Sequence, residues 1–346
     1  MADIDIYFTF GILSLFVSTL TIVGHSLTIY AFHQVPSLTT NPSNLLIWAL
    51  SVADLIFGIY VFIFHAVPLT FGFGNPYGEI GCMLQLFLDD VYISGNCLLV
   101  AISVDRVMLI SMDYSKYMKS QTKLRIKLVI LICYIIGVLN AAIEVGLWSY
   151  AKRIGGDDTD FDSYCVYPAR RMKWFSLYIT FGVYCPPVFI VGVLSVVFLM
   201  CLRKRMRKSA QIGSDGRSAT RSNAGRSDGG RGRDGGTGRS DGDTGRSDAE
   251  NERDVVKNRY LKPAITLGAL VAAMTASTLP YCIYLINEAF SERPINYNWV
   301  YMMWLIYELN PCLDAVFYAA TQRCIKKYYW QKWVKVLMCL GIKRNH

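Results

Sequence analysis

Several ionisable side chains lie inside long apolar stretches of this sequence, where a charge is costly. They include the carboxyl groups of Asp54, Asp89, Asp90 and Asp314 and the imidazole of His25. A carboxylate at the centre of a helix in lipid costs roughly 2.5–3.5 kcal/mol on insertion scales. We therefore expect each group to face a protein interior, where a carboxylate binds a cation, holds a proton or pairs with a base.

Asp105 and Arg106 end the third of these apolar stretches, and Cys82 begins it. On an α-helix Cys82 and Arg106 lie roughly 36 Å apart, at ~1.5 Å per residue, which matches the depth of a bilayer. An adjacent acid and base at a helix end can pair with each other or across to another helix. The pattern predicts a membrane-crossing helix with a cysteine at one face and an Asp-Arg pair at the other.

The composition favours a membrane protein with several such helices. Of 346 residues 53% are apolar and 18% charged, whereas a soluble domain carries about a quarter charged residues. Seven apolar runs are long enough to cross a bilayer, at about 7–32, 43–66, 80–104, 128–150, 174–202, 264–290 and 296–320. The sequence therefore predicts an all-α membrane protein, a bundle of seven transmembrane helices, here called spans 1 to 7.

Basic residues set the expected orientation of the bundle. They cluster after span 3 (116–127), after span 5 (203–208) and in the tail (323–335). Because cytoplasmic loops are enriched in Lys and Arg, we expect the amino end outside and the carboxyl end inside. The Cys82 end of span 3 is accordingly called the outer end. The net charge of +9 then reflects topology and contact with anionic lipid rather than nucleic-acid binding.

Composition also divides the chain into segments. Residues 1–208 hold spans 1–5, and residues 259–320 hold spans 6 and 7. Between them, 209–258 is rich in Gly, Arg, Ser and Asp and is predicted to be a disordered third cytoplasmic loop. Residues 321–346 are basic and aromatic, and predict an amphipathic helix 8 on the inner membrane surface followed by a tail. Cys339 in that tail is a candidate palmitoylation site.

Most of the ten cysteines lie within spans, but Cys82 and Cys165 are predicted on the outer side. That compartment is oxidising, so a bond between them is chemically allowed and would tether the second outer loop over the bundle. Pro280 in span 6, and Pro186 with Pro187 in span 5, predict kinks because proline removes a backbone donor. No metal-ligand cluster or Ser/His/Asp arrangement stands outside the spans, so we predict neither enzymatic activity nor a cofactor.

Apart from residues 209–258, this pattern resembles the rhodopsin-like (class A) G-protein-coupled receptors. The stretch from Leu50 to Asp54 is similar to the family's span-2 acid motif, and Asp105-Arg106-Val107 is similar to its D-R-Y motif. Leu279-Pro280-Tyr281 resembles its span-6 motif. Asn310 stands where the family has an asparagine, and Asp314 to Tyr318 stands at its N-P-x-x-Y. A competing alignment places that last motif at Asn310-Pro311, which delays the start of helix 8.

Several positions depart from the family pattern and affect how activation is relayed. The replacements are His25 for an asparagine, Tyr134 and Thr278 for tryptophans, Ala315 for a proline and Ser195 for a tyrosine.

The resemblance implies a plasma-membrane receptor that works by population shift. A ligand in the outer cavity binds one arrangement of spans 5, 6 and 7 better than the other, and the inner end of span 6 then moves out to admit a heterotrimeric G protein. Arg106 is expected to pair with Asp105 at rest. The resemblance assigns the remaining parts of the switch to Asp54, Asn310, Asp314, Tyr318 and Pro280.

The family's sodium site uses the span-2 acid, a span-3 serine and the span-7 asparagine. Asp54 and Asn310 match, but Gly95 stands at the serine position. If the spans pack as in the family, His25 and Asp314 lie close to Asp54. We therefore predict weak or altered sodium binding.

The ligand expected from the resemblance is a small amine. Asp89 follows Cys82 by seven residues, as does the ammonium-binding aspartate of muscarinic and histamine receptors. A carboxylate beside aromatic faces suits a small cation through Coulomb and cation–π attraction. The candidate aromatic residues are Tyr92, Tyr281, Tyr284, Trp304 and Tyr307. However, Asp89 is one residue closer to Arg106 than in the amine receptors, so Asp89 reaches the cavity only if a local bulge absorbs this one-residue difference.

The sequence also bears on three other functions: a receptor for a peptide or lipid, a transporter or channel, and a retinal pigment. A peptide or lipid ligand is the main rival within receptors, and Asp89 and Asp90 then need not both face a ligand. A transporter or proton channel would use the buried acids as a relay, but an odd number of spans and the lack of an inverted repeat disfavour it. A retinal pigment needs a lysine in span 7, and residues 296–320 contain none.

Overall fold

The computed structural model describes most of the chain as helix. The described residues are 2–40, 42–72, 77–155, 173–224, 262–290, 297–321, 328 and 330. The spans run over Ala2–Gln34 (span 1), Asn44–Phe71 (span 2), Gly78–Ser111 (span 3), Lys123–Gly155 (span 4), Lys173–Ala224 (span 5), Lys262–Phe290 (span 6) and Tyr297–Thr321 (span 7). Short helices Pro36–Thr40 and Tyr114–Ser120 lie between them, and no strand occurs in the described residues.

Span 5 extends beyond the boundary that its composition suggested. Its helix continues to Ala224, whereas we predicted a disordered loop from residue 209. Extending an existing helix is cheaper than starting one, because the nucleus is already formed. Residues 225–258 of that predicted loop, and most of the predicted helix 8, lie outside the described residues.

Three spans contain irregular turns on the outer side. Span 2 includes a π-helical turn at Phe62–Ala66, and span 5 includes one at Tyr178–Tyr184, directly before Pro186 and Pro187. Because prolines cannot donate to the preceding turn, a wider turn before them relieves the backbone. In span 3 the helix is interrupted at Tyr92.

The bundle has an apolar exterior, and its interior holds polar and charged groups among apolar side chains. Large apolar side chains such as Phe189 and Ile283 are exposed. His25, Asp54 and Asp314 are almost completely buried. Six helices are long and apolar enough to cross a membrane by length and composition, counted over the described residues. Span 7 is not among these six, but it packs against spans 1, 2 and 6 as the seventh member of the bundle.

Span 3 lies at the centre of the bundle and packs against spans 2, 4, 5 and 6. Two main clusters of buried apolar side chains surround it. The outer cluster is rich in aromatic residues and includes Phe57 and Trp148. The inner cluster is mostly aliphatic and includes Leu50 and Leu98. The outer half is thus lined by flat, polarisable rings, and the inner half is held by close aliphatic packing.

Span 1 meets the outer end of span 2 through a glycine. A Cβ atom on Gly11 would lie 2.5 Å from the backbone nitrogen of Thr70 and 2.8 Å from the carbonyl carbon of Leu69. We predict that Gly11→Ala separates the two helices and lowers the stability of the bundle by about 1–3 kcal/mol, as overpacking does. The measurement is the thermal unfolding midpoint of the detergent-solubilised protein.

Gly146→Ala in span 4 is the matched control, because a Cβ atom there meets nothing within 4 Å. It should leave the midpoint unchanged or raise it, since alanine favours helix over glycine. Equal midpoints for the two variants would contradict the close approach at Gly11.

Candidate functional site

The outer half of the bundle holds a buried carboxyl group among tyrosines. Asp89 in span 3 is 1% exposed. Its carboxyl group lies within electrostatic range of buried phenols from spans 2, 3, 5, 6 and 7. These belong to Tyr60, Tyr92, Tyr184, Tyr281 and Tyr307. We call Asp89 and these five tyrosines the outer chamber.

The irregular turn in span 3 sets the direction of Asp89. The backbone N–H of Tyr92 donates to the carbonyl of Asp89 at 3.1 Å, and the N–H of Gly95 donates to the carbonyl of Tyr92 at 2.8 Å. Both bonds span three residues, so the helix is overwound between Asp89 and Gly95, with about 120° per residue in place of about 100°. The extra rotation turns Asp89 in the direction that one additional residue would, and so compensates for the residue missing between Asp89 and Arg106.

The rings of the chamber contact one another mostly edge to face. Tyr281 and Tyr307 are stacked with centroids 5.1 Å apart, and Tyr184 meets Tyr281 at 5.5 Å and 83°. Tyr92 meets Tyr307 at 5.6 Å and 88°. Such arrangements fix the orientation of the rings around Asp89. Three of the aromatic residues selected from the sequence thus come together.

The other two selected residues lie at the edge of this group. Trp304 is partly exposed, with its ring 5.6 Å from that of Tyr281 and 6.2 Å from that of Tyr307. Tyr284 is also partly exposed and lies 6.4 Å from Tyr281.

Sequence reasoning missed Tyr60 and Tyr184. Tyr184 ends the π-helical turn of span 5 and Tyr60 precedes the π-helical turn of span 2. A regular helical period does not place side chains correctly across a π turn, because each turn then holds an extra residue. The only signal in the sequence was the proline pair that follows Tyr184.

Asp90 belongs to a different group from Asp89. It lies beside Glu144 and Asn140 of span 4, and Asn140 accepts a hydrogen bond from Tyr178 of span 5 at 2.9 Å. Adjacent residues point about 100° apart on a helix, so Asp89 and Asp90 face different neighbours. The free energy of burying two adjacent carboxyl groups is lowest when the two groups share one proton.

The middle of the bundle brings together most of the predicted switch residues. The Nε2 atom of His25 lies 2.8 Å from the carbonyl oxygen of Pro311 and 3.5 Å from a carboxyl oxygen of Asp54. Asp54 is within electrostatic range of Asp314. Asn310 donates from its amide nitrogen to the hydroxyl of Tyr92 at 2.7 Å. Within the described residues, no group of three or more His, Cys, Asp or Glu side chains is arranged to hold a metal ion.

At the inner end, Asp105 contacts two hydroxyl groups. Its Oδ1 atom accepts hydrogen bonds from Ser43 at 3.0 Å and from Tyr117 at 2.9 Å. Its Oδ2 atom lies 3.8 Å from Nη1 of Arg106. Burial and the nearby Asp105 carboxylate raise the pKa of Tyr117 to about 12, so this phenol remains a donor at physiological pH. The expected Asp105–Arg106 pair is therefore present but long, and the hydroxyls are closer.

Ser43 and Tyr117 were not selected from the sequence. Ser43 directly precedes the helix of span 2, and Tyr117 lies on the short helix Tyr114–Ser120. Nothing local predicts that these two segments meet at Asp105, because the contact joins residues 62 positions apart in one case and 12 in the other.

The remaining selected residues are placed as follows. Pro280 lies inside the helix of span 6. Tyr318 is buried within electrostatic range of Asp314 and Arg106. Cys82 is disulfide-bonded. Cys165 and Cys339 lie outside the described residues.

Comparison with known proteins agrees with this arrangement. Residues 24–318 match the family model described as the 7 transmembrane receptor (rhodopsin family). The chain is 26% identical over 212 residues to a Gq-coupled rhodopsin of Mizuhopecten yessoensis, covering 60% of this chain and 41% of that protein. It is 27% identical over 153 residues to a probable muscarinic acetylcholine receptor of Caenorhabditis elegans, covering 42% of this chain and 20% of that protein.

A solved structure shares the fold. The crystal structure of squid rhodopsin superposes with a TM-score of 0.72 at 15% identity, covering 99% of this chain and 89% of that one. The fold and the family are those of a receptor rather than an enzyme. The chain is thus a multi-pass membrane protein and a G-protein-coupled receptor, and it belongs to the rhodopsin family of seven-transmembrane receptors.

Proposed function

We propose that this receptor binds a small organic amine in the outer chamber and passes the signal to heterotrimeric G proteins from the plasma membrane. In this proposal the amino end is extracellular and the carboxyl end cytoplasmic. The observation that carries the proposal is Asp89, a buried carboxyl group with five tyrosines from five spans around it.

The chemistry of that chamber favours a cation. A carboxylate attracts an ammonium strongly at low dielectric, and a ring face adds about 0.5–2 kcal/mol of cation–π attraction. Tyr281, Tyr307 and Tyr184 come from the three spans that rearrange in the proposed activation, so a ligand that draws these rings towards Asp89 favours one arrangement of the bundle. Retinal is not proposed despite the rhodopsin relatives, because residues 296–320 contain no lysine for a Schiff base.

The inner end supports a switch at Arg106. Since Asp105 Oδ1 accepts two hydroxyl donors, less of its charge is available to Arg106. A weaker Asp105–Arg106 pair lowers the free energy needed to release Arg106 towards a G protein. We propose that Ser43 and Tyr117 set the resting strength of this pair.

We predict that Asp89→Asn lowers amine potency by about two to three orders of magnitude, because a charge-assisted contact contributes several kcal/mol in a buried site. The measurement is a concentration–response series with a panel of biogenic amines on cells expressing each variant, with cAMP and calcium as readouts and surface expression quantified.

Asp90→Asn is the matched control, since Asp90 lies against Asn140 and Glu144, and Tyr184 is the chamber tyrosine within its electrostatic range. It should leave potency close to wild type. An amine response that survives Asp89→Asn undiminished would remove Asp89 from ligand binding.

We predict that Tyr117→Phe lowers agonist-stimulated G-protein activation several-fold and lowers the apparent agonist affinity by no more than the same factor, because the agonist binds the active arrangement better. The variant loses one hydrogen bond to Asp105, about 1 kcal/mol. The carboxylate of Asp105 then attracts Arg106 more strongly, which stabilises the resting state. Nucleotide exchange on purified G protein measures the effect.

Tyr134→Phe provides the comparison, because Tyr134 donates to the carbonyl of Ala49 and does not contact Asp105. Activation should be unaltered by that change. Equal activation by wild type and Tyr117→Phe would mean that this hydroxyl does not tune Arg106.

We also propose that sodium binds weakly beside Asp54. Gly95 provides no hydroxyl, and Nε2 of His25 lies 3.5 Å from a carboxyl oxygen of Asp54, where it competes with a cation for that carboxyl group. Replacing sodium chloride with N-methylglucamine chloride should leave agonist affinity unchanged within error in a radioligand competition assay. A clear sodium effect that vanishes in Asp54→Ala would contradict this.

A further inference from the structure

His65 occupies a distinctive place at the mouth of the outer chamber. It belongs to the π-helical turn Phe62–Ala66 of span 2 and is partly exposed. Its ring lies 4.6 Å from the ring of Trp304 in span 7 and 5.1 Å from the ring of Tyr60. π-Helical turns occur frequently at functional sites. Nothing in the proposed amine contact with Asp89 uses this histidine.

The hydrogen bonds around His65 assign its tautomer. The hydroxyl of Tyr60 lies 2.6 Å from Nε2 of His65, and Tyr60 is only 1% exposed. A buried phenol must donate its hydrogen, and the imidazole nitrogen is the acceptor beside it. The side-chain amide nitrogen of Gln85 lies 3.4 Å from the same Nε2 atom and is a second donor. From these two contacts we assign the lone pair to Nε2 and the proton to Nδ1.

The position of the ring directs this Nδ1–H group towards the chamber mouth. Tyr60 and Gln85 cover the Nε2 edge, so the exposed part of the ring includes the Nδ1 edge. Trp304 of span 7 and Gln85 of span 3 flank the ring, which places it between spans 2, 3 and 7 and not on the lipid side. A neutral imidazole in this state is a hydrogen-bond donor without a positive charge.

An aromatic strip connects this donor with Asp89. Trp304 contacts His65 on one side and Tyr281 and Tyr307 on the other. Both tyrosines lie within electrostatic range of Asp89. The chamber therefore presents a carboxyl group at its floor, apolar ring faces along its wall and a neutral N–H donor at its mouth.

We propose that Nδ1–H of His65 is the second polar anchor of the chamber and binds an oxygen acceptor on the ligand. The ligand class is an amine that carries an ester, carbonyl or hydroxyl oxygen beyond a short apolar segment. The ammonium meets Asp89, the apolar segment packs on Trp304 and Tyr307, and the oxygen accepts from His65. This inference rests on the proposed amine function and adds the chemistry of the other end of the ligand.

The test compares amines that differ only in the oxygen. The first pair is acetylcholine and n-pentyltrimethylammonium, which have the same chain length, and the second is tyramine and phenethylamine. Binding of each probe to the purified full-length receptor in nanodiscs is measured by calorimetry. The quantity of interest is the affinity ratio within a pair, because a purely structural role of His65 would change both members equally.

In the wild type we expect the oxygen-bearing member of at least one pair to bind about tenfold more tightly, the equivalent of roughly one good hydrogen bond. In His65→Phe, which keeps the ring against Trp304, that ratio should fall to about one. His65→Gln, which restores an N–H donor, should recover part of it. His33→Phe alters an exposed histidine of span 1 and should leave the ratio unchanged.

The possible failures are distinguishable. If amines bind and Asp89→Asn abolishes binding, but the ratio persists in His65→Phe, the role of His65 is overturned and the amine function stands. If no probe binds the wild type, or Asp89→Asn changes no affinity, the proposed amine function fails and the second anchor fails with it. Unfolding midpoints without ligand confirm that each variant is folded.

Discussion

The cost of burying carboxyl groups in a membrane-spanning bundle governs this structure. Three of the buried acids have a neighbour that can reduce this cost: His25 lies beside Asp54, Glu144 lies beside Asp90, and a hydroxyl of Ser14 donates to Glu308 at 2.7 Å. Removing one partner of such a group leaves an uncompensated polar atom in a low-dielectric interior, which costs several kcal/mol. The spans are therefore held in one arrangement by polar pairs as well as by packing, and any change in arrangement must exchange these partners.

Span 3 connects the levels at which those partners lie. Its overwound turn holds Asp89 in the outer chamber, and the hydroxyl of Tyr92 in the same turn accepts from Asn310 of span 7. Farther along the same helix, Asp105 and Arg106 meet the inner contacts of Ser43 and Tyr117. One span, interrupted at Tyr92, thus carries the proposed ligand acid, the contact to span 7 and the proposed G-protein switch, so it connects these three levels directly.

Much of the fold was predictable because it depends on properties averaged over many residues. Seven apolar runs and an Asp-Arg pair at the end of the third were enough to predict a receptor-like bundle, and the family comparison confirmed that prediction. The direction of Asp89 was not predictable, since it depends on two i→i−3 hydrogen bonds at Tyr92. Tyr60, Tyr184, Ser43 and Tyr117 were missed for a related reason: contacts between distant segments carry no local signal, and the only sign of a π turn was the proline pair that follows Tyr184. The prediction that disorder begins at residue 209 was wrong up to Ala224, because the helix of span 5 continues.

The two π-helical turns lie on different walls of the chamber, one in span 2 and one in span 5. Each holds one residue more per turn than an α-helix, and that irregularity ends before the inner half of the helix begins. Insertion or loss of a single residue at either turn would change the direction of the side chains on the outer side of that turn, while the register of the inner half stays the same. Small insertions and deletions at these turns are therefore a route by which evolution could change the chemical selectivity of the receptor and keep the contacts of its inner half.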